Sequence, residues 1–238
     1  MAIGPWLYEQ MAKGFRNEPA RKAKDALRPV KHAILGKQGL YQVIDFVRDH
    51  AARSGAEVRT VIDAGASIGE AALPILRAFP KAQVYCFEPI PESYALLVRR
   101  TKKFADRVHC FNHGLSNHED TLTFYVNEDH PDGSSLIVPP PEWRTRTITI
   151  PVRKLDDVCK ELGITHVDFL KVDVEGMEKE MLAGAPQTLR HTENAFVEIS
   201  PLRKGFNHDY IDVFEYLHAA GLSFAGVYSD YFFERLPH

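Results

Sequence analysis

Several features that would place a protein quickly are missing from this sequence. No apolar run approaches the ~18 residues that a membrane-crossing helix needs. The first residues, MAIGPWLYEQMAKGF, contain no long apolar stretch and no small-residue cleavage site, so they do not read as a signal peptide. Cysteine is scarce: Cys86, Cys110 and Cys159 are odd in number and far apart. With no C-x-x-C pair and no Cys/His cluster of zinc spacing, neither a disulfide framework nor a structural zinc site is expected. Reduced thiols point to a reducing compartment, and the expected location is cytoplasmic. The formal net charge of -3 removes any global pull toward nucleic acid. The dinucleotide fingerprint G-x-G-x-x-G and the phosphate-binding P-loop are also absent.

What is present is a rhythm. Residues 1–57 carry no strong strand, and Leu40, Val43, Ile44 and Val47 are spaced as one helical stripe. Upstream, residues 13–37 hold eight lysines and arginines against Glu18 and Asp25. Such a stretch is a solvated helical face, a lid over an anionic acceptor, a membrane-surface contact or a dimer contact. Few aromatics are interleaved for base stacking, which disfavours nucleic acid. From residue 58 strands and helices alternate. RTVIDAG, AQVYCFEP, RVHCFN, VDFLKVDVEG and NAFVEIS read as strands. IGEAALPILRAFP reads as a helix that either starts late or bends at Pro74. DTLTFYVN and RTITIPV alternate with period two, as a small antiparallel insertion would. MEKEMLAGAPQTLR reads as one helix, YIDVFEYLHAAG as another, and SFAGVYSDYFFERL as a closing antiparallel hairpin. The expected fold is α/β and doubly wound, with a mostly parallel sheet. The expected division is a helical, partly basic segment at 1–57 and a ligand-binding domain at 58–238.

Ligands of such sheets sit beyond the carboxyl ends of the strands. There the sequence places Asp63, Glu88, the stretch Asn112–Ser116, Asp173 with Glu175, and Glu198. The turn after the first strand is Gly65-Ala66-Ser67-Ile68-Gly69. Asp63 beside it would repel a phosphate but would welcome an amine. Glu88, 25 residues on, suits the two hydroxyls of a ribose, and a helix start after Gly69 suits a carboxylate. An amino acid joined to adenosine meets all three needs, and that describes S-adenosylmethionine (SAM).

VIDAGASIGE, VYCFEPIPESYALL, HGLSNHEDTLTFYV, GSSL and VDFLKVDVEGMEKEMLAGA together resemble the FkbM family of class I SAM-dependent methyltransferases, over roughly residues 58–200. The family's first motif usually reads D-x-G-A-N-x-G, and here Ser67 stands where asparagine is usual. The resemblance implies an O-methyltransferase acting on a hydroxyl of a carbohydrate, glycolipid or natural product. It places Asp63, Gly65, Ala66, Ser67 and Gly69 at the methionine end of the cofactor, and Glu88 with Pro89 at the ribose. Leu115 and Ser116 fall beside the adenine, and Asp173 and Glu175 near the transferring methyl.

Methyl transfer to an alcohol needs a group that takes its proton. Asp173 is the first candidate, followed by Glu175 and Glu198; Glu175 also reads as a helix-start anion. His208 is an alternative base. A second route, with Asp173 and Glu198 sharing a divalent cation, is the less favoured one because no dedicated metal motif exists. Lys171, mid-strand, reads either as a stem snorkelling to an edge or as an ion pair positioning Asp173. Ser134, Ser135 and Trp143 in one loop, and Arg203 with His208 in another, are the expected acceptor readers. A small-molecule or glycan acceptor and a homodimer through the N-terminal helices are the expected partners. The alternatives are a nucleic-acid methyltransferase gripping phosphates through residues 13–37, a SAM-binding protein without catalysis, and a nicotinamide reductase. The last is disfavoured by the missing fingerprint and by Asp63.

Overall fold

The computed structural model describes residues 37–128, 143–198, 210–227 and 231–235. The basic stretch 13–36, Ser134, Ser135, Arg203 and His208 lie outside the described residues.

A seven-stranded sheet organises the chain. Its strands are β1 (Thr60–Ala64), β2 (Gln83–Phe87), β3 (Val108–Phe111), β7 (Phe169–Val172), β8 (Asn194–Val197), β9 (Leu222–Val227) and β10 (Tyr231–Arg235). Their spatial order is β3-β2-β1-β7-β8-β10-β9. All neighbours are parallel except β10, which runs antiparallel to both β8 and β9. The closing hairpin is therefore present, with its second strand slotted inside the first. The strand order reverses between β1 and β7, and this is the topological switch where such sheets open a ligand crevice.

Alternate residues of each strand face opposite sides, so each side of the sheet has its own apolar core. On one side pack α1 (Lys37–Ser54), α2 (Ala72–Ala78) and α3 (Pro91–Thr101). Val43, Val47, Ile75, Leu76 and Leu97 bury there against Val61, Val84 and Phe169. On the other side pack α4 (Leu155–Leu162), α5 (Glu178–Ala183), α6 (Pro186–Arg190) and α7 (Tyr210–Ala219). Leu155, Met181, Leu189 and Leu217 bury there against Ile62, Phe87 and Leu170. Each such side chain stabilises the fold by about 1.5–3 kcal/mol. The stripe Leu40, Val43, Ile44 and Val47 is buried in the same cluster as β1, so packing runs straight across the expected boundary at residue 57.

Local chemistry sets the helix ends. The second helix starts late, at Ala72, which leaves Pro74 in the first turn where no amide is needed. Pro91 opens α3 at its first position, with Glu92 beside it. Gly163 closes α4 in the left-handed conformation, and the amide of Ile164 returns to the Cys159 carbonyl at 2.8 Å. The single helix expected over 177–190 is two helices. Pro186 starts the second, and Gly184 lies so close to the chain at Ser116 that a Cβ there would come within 2.0 Å of its carbonyl oxygen.

The insertion is a second sheet with the order β4-β6-β5, formed by β4 (Gly114–Leu115), β5 (Asp120–Asn127) and β6 (Thr145–Arg153). The antiparallel β5–β6 pair matches the expected alternation, and β4 adds a short parallel edge. Phe124, Val126, Ile150 and Val152 of this sheet close over Ile90, two residues beyond Glu88. Among the described residues no helix is long and apolar enough to cross a membrane. The three cysteines are free.

Candidate active site

Four strands deliver acids to one edge through the last rungs of their ladders. The amide of Glu88 donates to the Phe111 carbonyl (3.0 Å), that of Asp173 to Ala64 (3.0 Å), and that of Glu198 to Val172 (2.8 Å). Register therefore places the acids side by side, with Asp63 one residue inside the end of β1.

The turn after β1 is tied to β2. The amides of Gly65 and Ala66 both donate to the Phe87 carbonyl, at 3.0 and 2.9 Å. The amide of Ser67 donates to Glu88 Oε2 and that of Ile90 to Glu88 Oε1, each at 2.8 Å. Glu88 is thus both a strand-end acid and the clamp on the glycine turn. Burial pushes its carboxyl up, to about 7, against the pull of those two amides. Asn112 holds the next stretch, donating from Nδ2 to the Glu88 carbonyl at 2.9 Å and the Pro89 carbonyl at 3.1 Å. The turn closes with the amide of Gly69 on the Ala66 carbonyl at 2.8 Å.

The need for glycine at residue 65 has an internal cause. A Cβ there would sit 1.7 Å from the backbone oxygen of Asp173. The turn after β1 and the loop after β7 touch backbone to backbone, and no side chain fits between them. Ser67 takes a left-handed backbone, with φ 46°, and so does Glu175, with φ 54°. Both are non-glycine residues in a costly conformation, and both lie at the strand ends that form the site.

Asp63 is fully buried, and neither of its carboxylate oxygens makes a hydrogen bond. Burial pushes its carboxyl up, while Lys171, whose Nζ is 3.3 Å from Oδ1, pulls it down. Lys171 also donates to Asp173 Oδ2 at 3.1 Å and to the Gly65 carbonyl at 3.2 Å. The ion pair with Asp173 suggested by the sequence is present. Asp173, Glu175 and Glu198 each offer a carboxylate oxygen, and these three atoms lie within 4.8 Å of one another. That donor set can hold a divalent cation.

The remaining expected residues are more scattered. Leu115, on β4, is buried in the large-sheet core with Phe87 and Met181, and Ser116 is fully buried, with its amide on the Arg153 carbonyl. Trp143, just before β6, is 44% exposed. Sequence reasoning missed Glu178. Its Oε1 accepts the amides of Gly176 (3.0 Å) and Val174 (3.3 Å), which fixes the loop that carries Asp173 and Glu175. Burial pushes this carboxyl up, to about 7, against those amides. The signal was its place two residues after Gly176 at a helix start, where a carboxylate can reach back to unsatisfied amides.

A doubly wound sheet with this strand order, and acids gathered around a glycine turn at its switch point, defines a methyltransferase architecture. Solved structures share it. A putative rRNA methylase from Clostridium thermocellum superposes with a TM-score of 0.52 at 11% identity, covering 84% of this chain and 97% of that one. Magnesium protoporphyrin IX methyltransferase from Synechocystis PCC 6803, solved with bound SAM, gives 0.50 at 13% identity, covering 85% and 81%. At these identities the likeness is one of fold. The family model described as the methyltransferase FkbM domain matches residues 63–224, and the chain belongs to that family.

Curated relatives are similar at modest identity. The 2-O-methyltransferase NoeI of Sinorhizobium fredii is 29% identical over 153 residues, 59% of this chain and 63% of NoeI. Methyltransferase sdnD of Sordaria araneosa is 28% identical over 159 residues, 53% of this chain and 60% of sdnD. The 31-O-demethyl-FK506 methyltransferase FkbM of Streptomyces tacrolimicus is 28% identical over 196 residues, 65% of this chain and 71% of its own length. The matches to NoeI and sdnD span about three fifths of those proteins.

Proposed function

We propose that this protein is a SAM-dependent O-methyltransferase that modifies a hydroxyl of a carbohydrate, glycolipid or natural product. The observation that carries the reading is the pairing of a fully buried, hydrogen-bond-free Asp63 with a clamped Glu88 on either side of one glycine turn. Both fit the cofactor. Asp63 faces the Lys171 ammonium through Oδ1 at 3.3 Å, while Oδ2 makes no hydrogen bond and can accept from a cationic amino acid. Glu88 spends one lone pair of each oxygen on a backbone amide, which leaves acceptor capacity for ribose hydroxyls. The names of NoeI and FkbM, both O-methyltransferases, support the oxygen acceptor.

When bound, the cofactor supplies an electrophilic methyl on a sulfonium and its own leaving group. The chain supplies alignment and proton management. In this reading Asp173 takes the acceptor's proton. Its side chain is 32% exposed, and Lys171 fixes its direction. Glu178 holds the loop on which Asp173 and Glu175 stand. Glu198, at the next strand end, is the second candidate base. In the less favoured route Asp173, Glu175 and Glu198 would hold a cation that acidifies the acceptor hydroxyl. Trp143 is exposed beside β6, where it suits stacking on a sugar ring.

The test is incubation with methyl-labelled SAM and separate glycan, lipid and RNA fractions. Label in glycan or lipid is the expected result, and label confined to RNA would transfer the reading to a nucleic-acid methyltransferase. Calorimetric titration with SAM and NAD in parallel comes first, and heat from NAD alone would end the methyltransferase reading.

A further inference from the structure

Lys171 sits on β7 with Asp63 opposite on β1 and Phe196 opposite on β8, and it is 7% exposed. A buried ammonium is strongly disfavoured unless it is paired and hydrogen-bonded. This one answers groups on two separate loops. It reaches the Gly65 carbonyl in the turn after β1, Asp173 Oδ2 in the loop after β7, and Asp63 Oδ1 beneath both, at 3.2, 3.1 and 3.3 Å. Burial alone would push the ammonium down, but Asp173 and Asp63 outweigh it and hold it well above the ordinary lysine range. A lysine held this way stays charged and takes no proton from a substrate.

The two loops it joins have different duties. The Gly65 turn is the clamped cofactor turn, and the Asp173 loop carries the proposed base. Their backbones already touch at residue 65, with room for no side chain between them. A small rotation of either loop would therefore separate the Gly65 carbonyl from the Asp173 carboxylate. The ammonium bonds to both and opposes that rotation.

We propose that Lys171 is a positioning residue that locks the cofactor turn to the acid loop through one buried ammonium, in addition to neutralising Asp63. The proposal rests on the SAM reading of this site. It separates two roles. A counter-ion for Asp63 is dispensable once Asp63 is neutral, and a lock between loops is not.

The experiment uses the full chain as wild type, Asp63→Asn, Lys171→Met and the double variant Lys171→Met/Asp63→Asn, with melting temperature and SAM affinity by calorimetry measured on each. Lys171→Met alone leaves Asp63 buried without its cation, and it melts lowest. The double variant, with neither charge in the core, recovers most of that loss. Its SAM affinity stays at least about tenfold weaker than that of Asp63→Asn, the scale of one lost charged hydrogen bond. A double variant that binds SAM as well as Asp63→Asn overturns the proposal and reduces Lys171 to a counter-ion. Absence of SAM binding by the wild-type chain overturns the SAM reading and the proposal together. The wild-type titration tells those two failures apart.

Discussion

The backbone oxygen of Asp173 occupies the space that a side chain on Gly65 would need, since a Cβ built at residue 65 comes within 1.7 Å of it. Residue 65 also has φ 78°, a region that L side chains rarely adopt. Gly65→Ala therefore meets backbone, which cannot rotate away. The expected loss is about 3 kcal/mol or more. For a chain of this size the melting temperature should fall by roughly 6–12 °C. Thermal unfolding of the alanine variant checks this, and a melting curve that overlays wild type would show that the two loops are not in contact.

Ser67 carries strain of the opposite kind. Its φ of 46° is left-handed, yet only its backbone amide is used, to clamp Glu88. Glycine pays no Cβ penalty there, and asparagine tolerates the conformation better than serine. Ser67→Gly and Ser67→Asn should each stabilise the protein by about 0.5–1 kcal/mol and keep SAM affinity within a fewfold of wild type. Denaturant melts with and without SAM measure both quantities, and loss of stability in both variants would count against the clamped turn.

Two carboxyls make stability depend on pH. Glu88 and Glu178 are each pushed up by burial from 4.5 to about 7. Between those values the folded chain holds protons that the unfolded chain has released. Stability from these groups is complete below pH 4.5 and is lost as pH rises through about 7. Glu178→Gln removes one of the two, and the amide oxygen can still accept the amides of Val174 and Gly176, because both bond to a single oxygen. The variant should show a shallower fall in denaturation midpoint from pH 5 to 8, and higher stability than wild type at pH 8. An unchanged slope would mean that Glu178 is ionised throughout.

Glu88 uses both oxygens, so glutamine cannot replace it in the same way. The Ser67 and Ile90 amides each need an acceptor, and an amide nitrogen would face one of them. Glu88→Gln should loosen the glycine turn and weaken SAM binding by about tenfold or more, the worth of one charge-assisted hydrogen bond. Calorimetric titration reads it directly, and wild-type affinity in the variant would remove Glu88 from the cofactor site.

A substitution at the proposed base, Asp173, should separate binding from chemistry. Asp173→Asn keeps the side-chain shape and an amide oxygen that can still accept from Lys171, so SAM affinity should change only a fewfold while methyl transfer to the labelled acceptor falls by about 10²–10⁴. Transfer should also persist in excess chelator. Loss of transfer that magnesium restores would assign the work to a cation on Asp173, Glu175 and Glu198.

Much of this site can be read along the chain because strand ends are local features. A strand reads as an apolar run, and the acid that follows it is simply the next residue, as Glu88, Asp173 and Glu198 show. The insertion was equally visible, since period-two alternation over DTLTFYVN and RTITIPV needs no knowledge of its partner. The break between the helices at Gly184 was not visible. Pro186 starts the second helix, and Gly184 packs against the backbone of Ser116, which is 68 positions away and just past β4. Glu178 was hidden for a related reason, because a glutamate at a helix start looks the same in solvent and folded back onto buried amides.

From the sequence alone come the order of strands and helices, the acids at the strand ends, the glycine turn and the FkbM resemblance, because each depends on neighbours a few residues apart. Only the tertiary structure shows that Gly65 is glycine to admit the Asp173 carbonyl, that Glu88 clamps Ser67 and Ile90, and that one ammonium at Lys171 serves Asp63, Gly65 and Asp173 together. The contacts of Gly65 and Asp63 with the end of β7 join segments about a hundred residues apart through the parallel β1–β7 pairing, and the residue pattern along one strand does not say which strand will lie beside it.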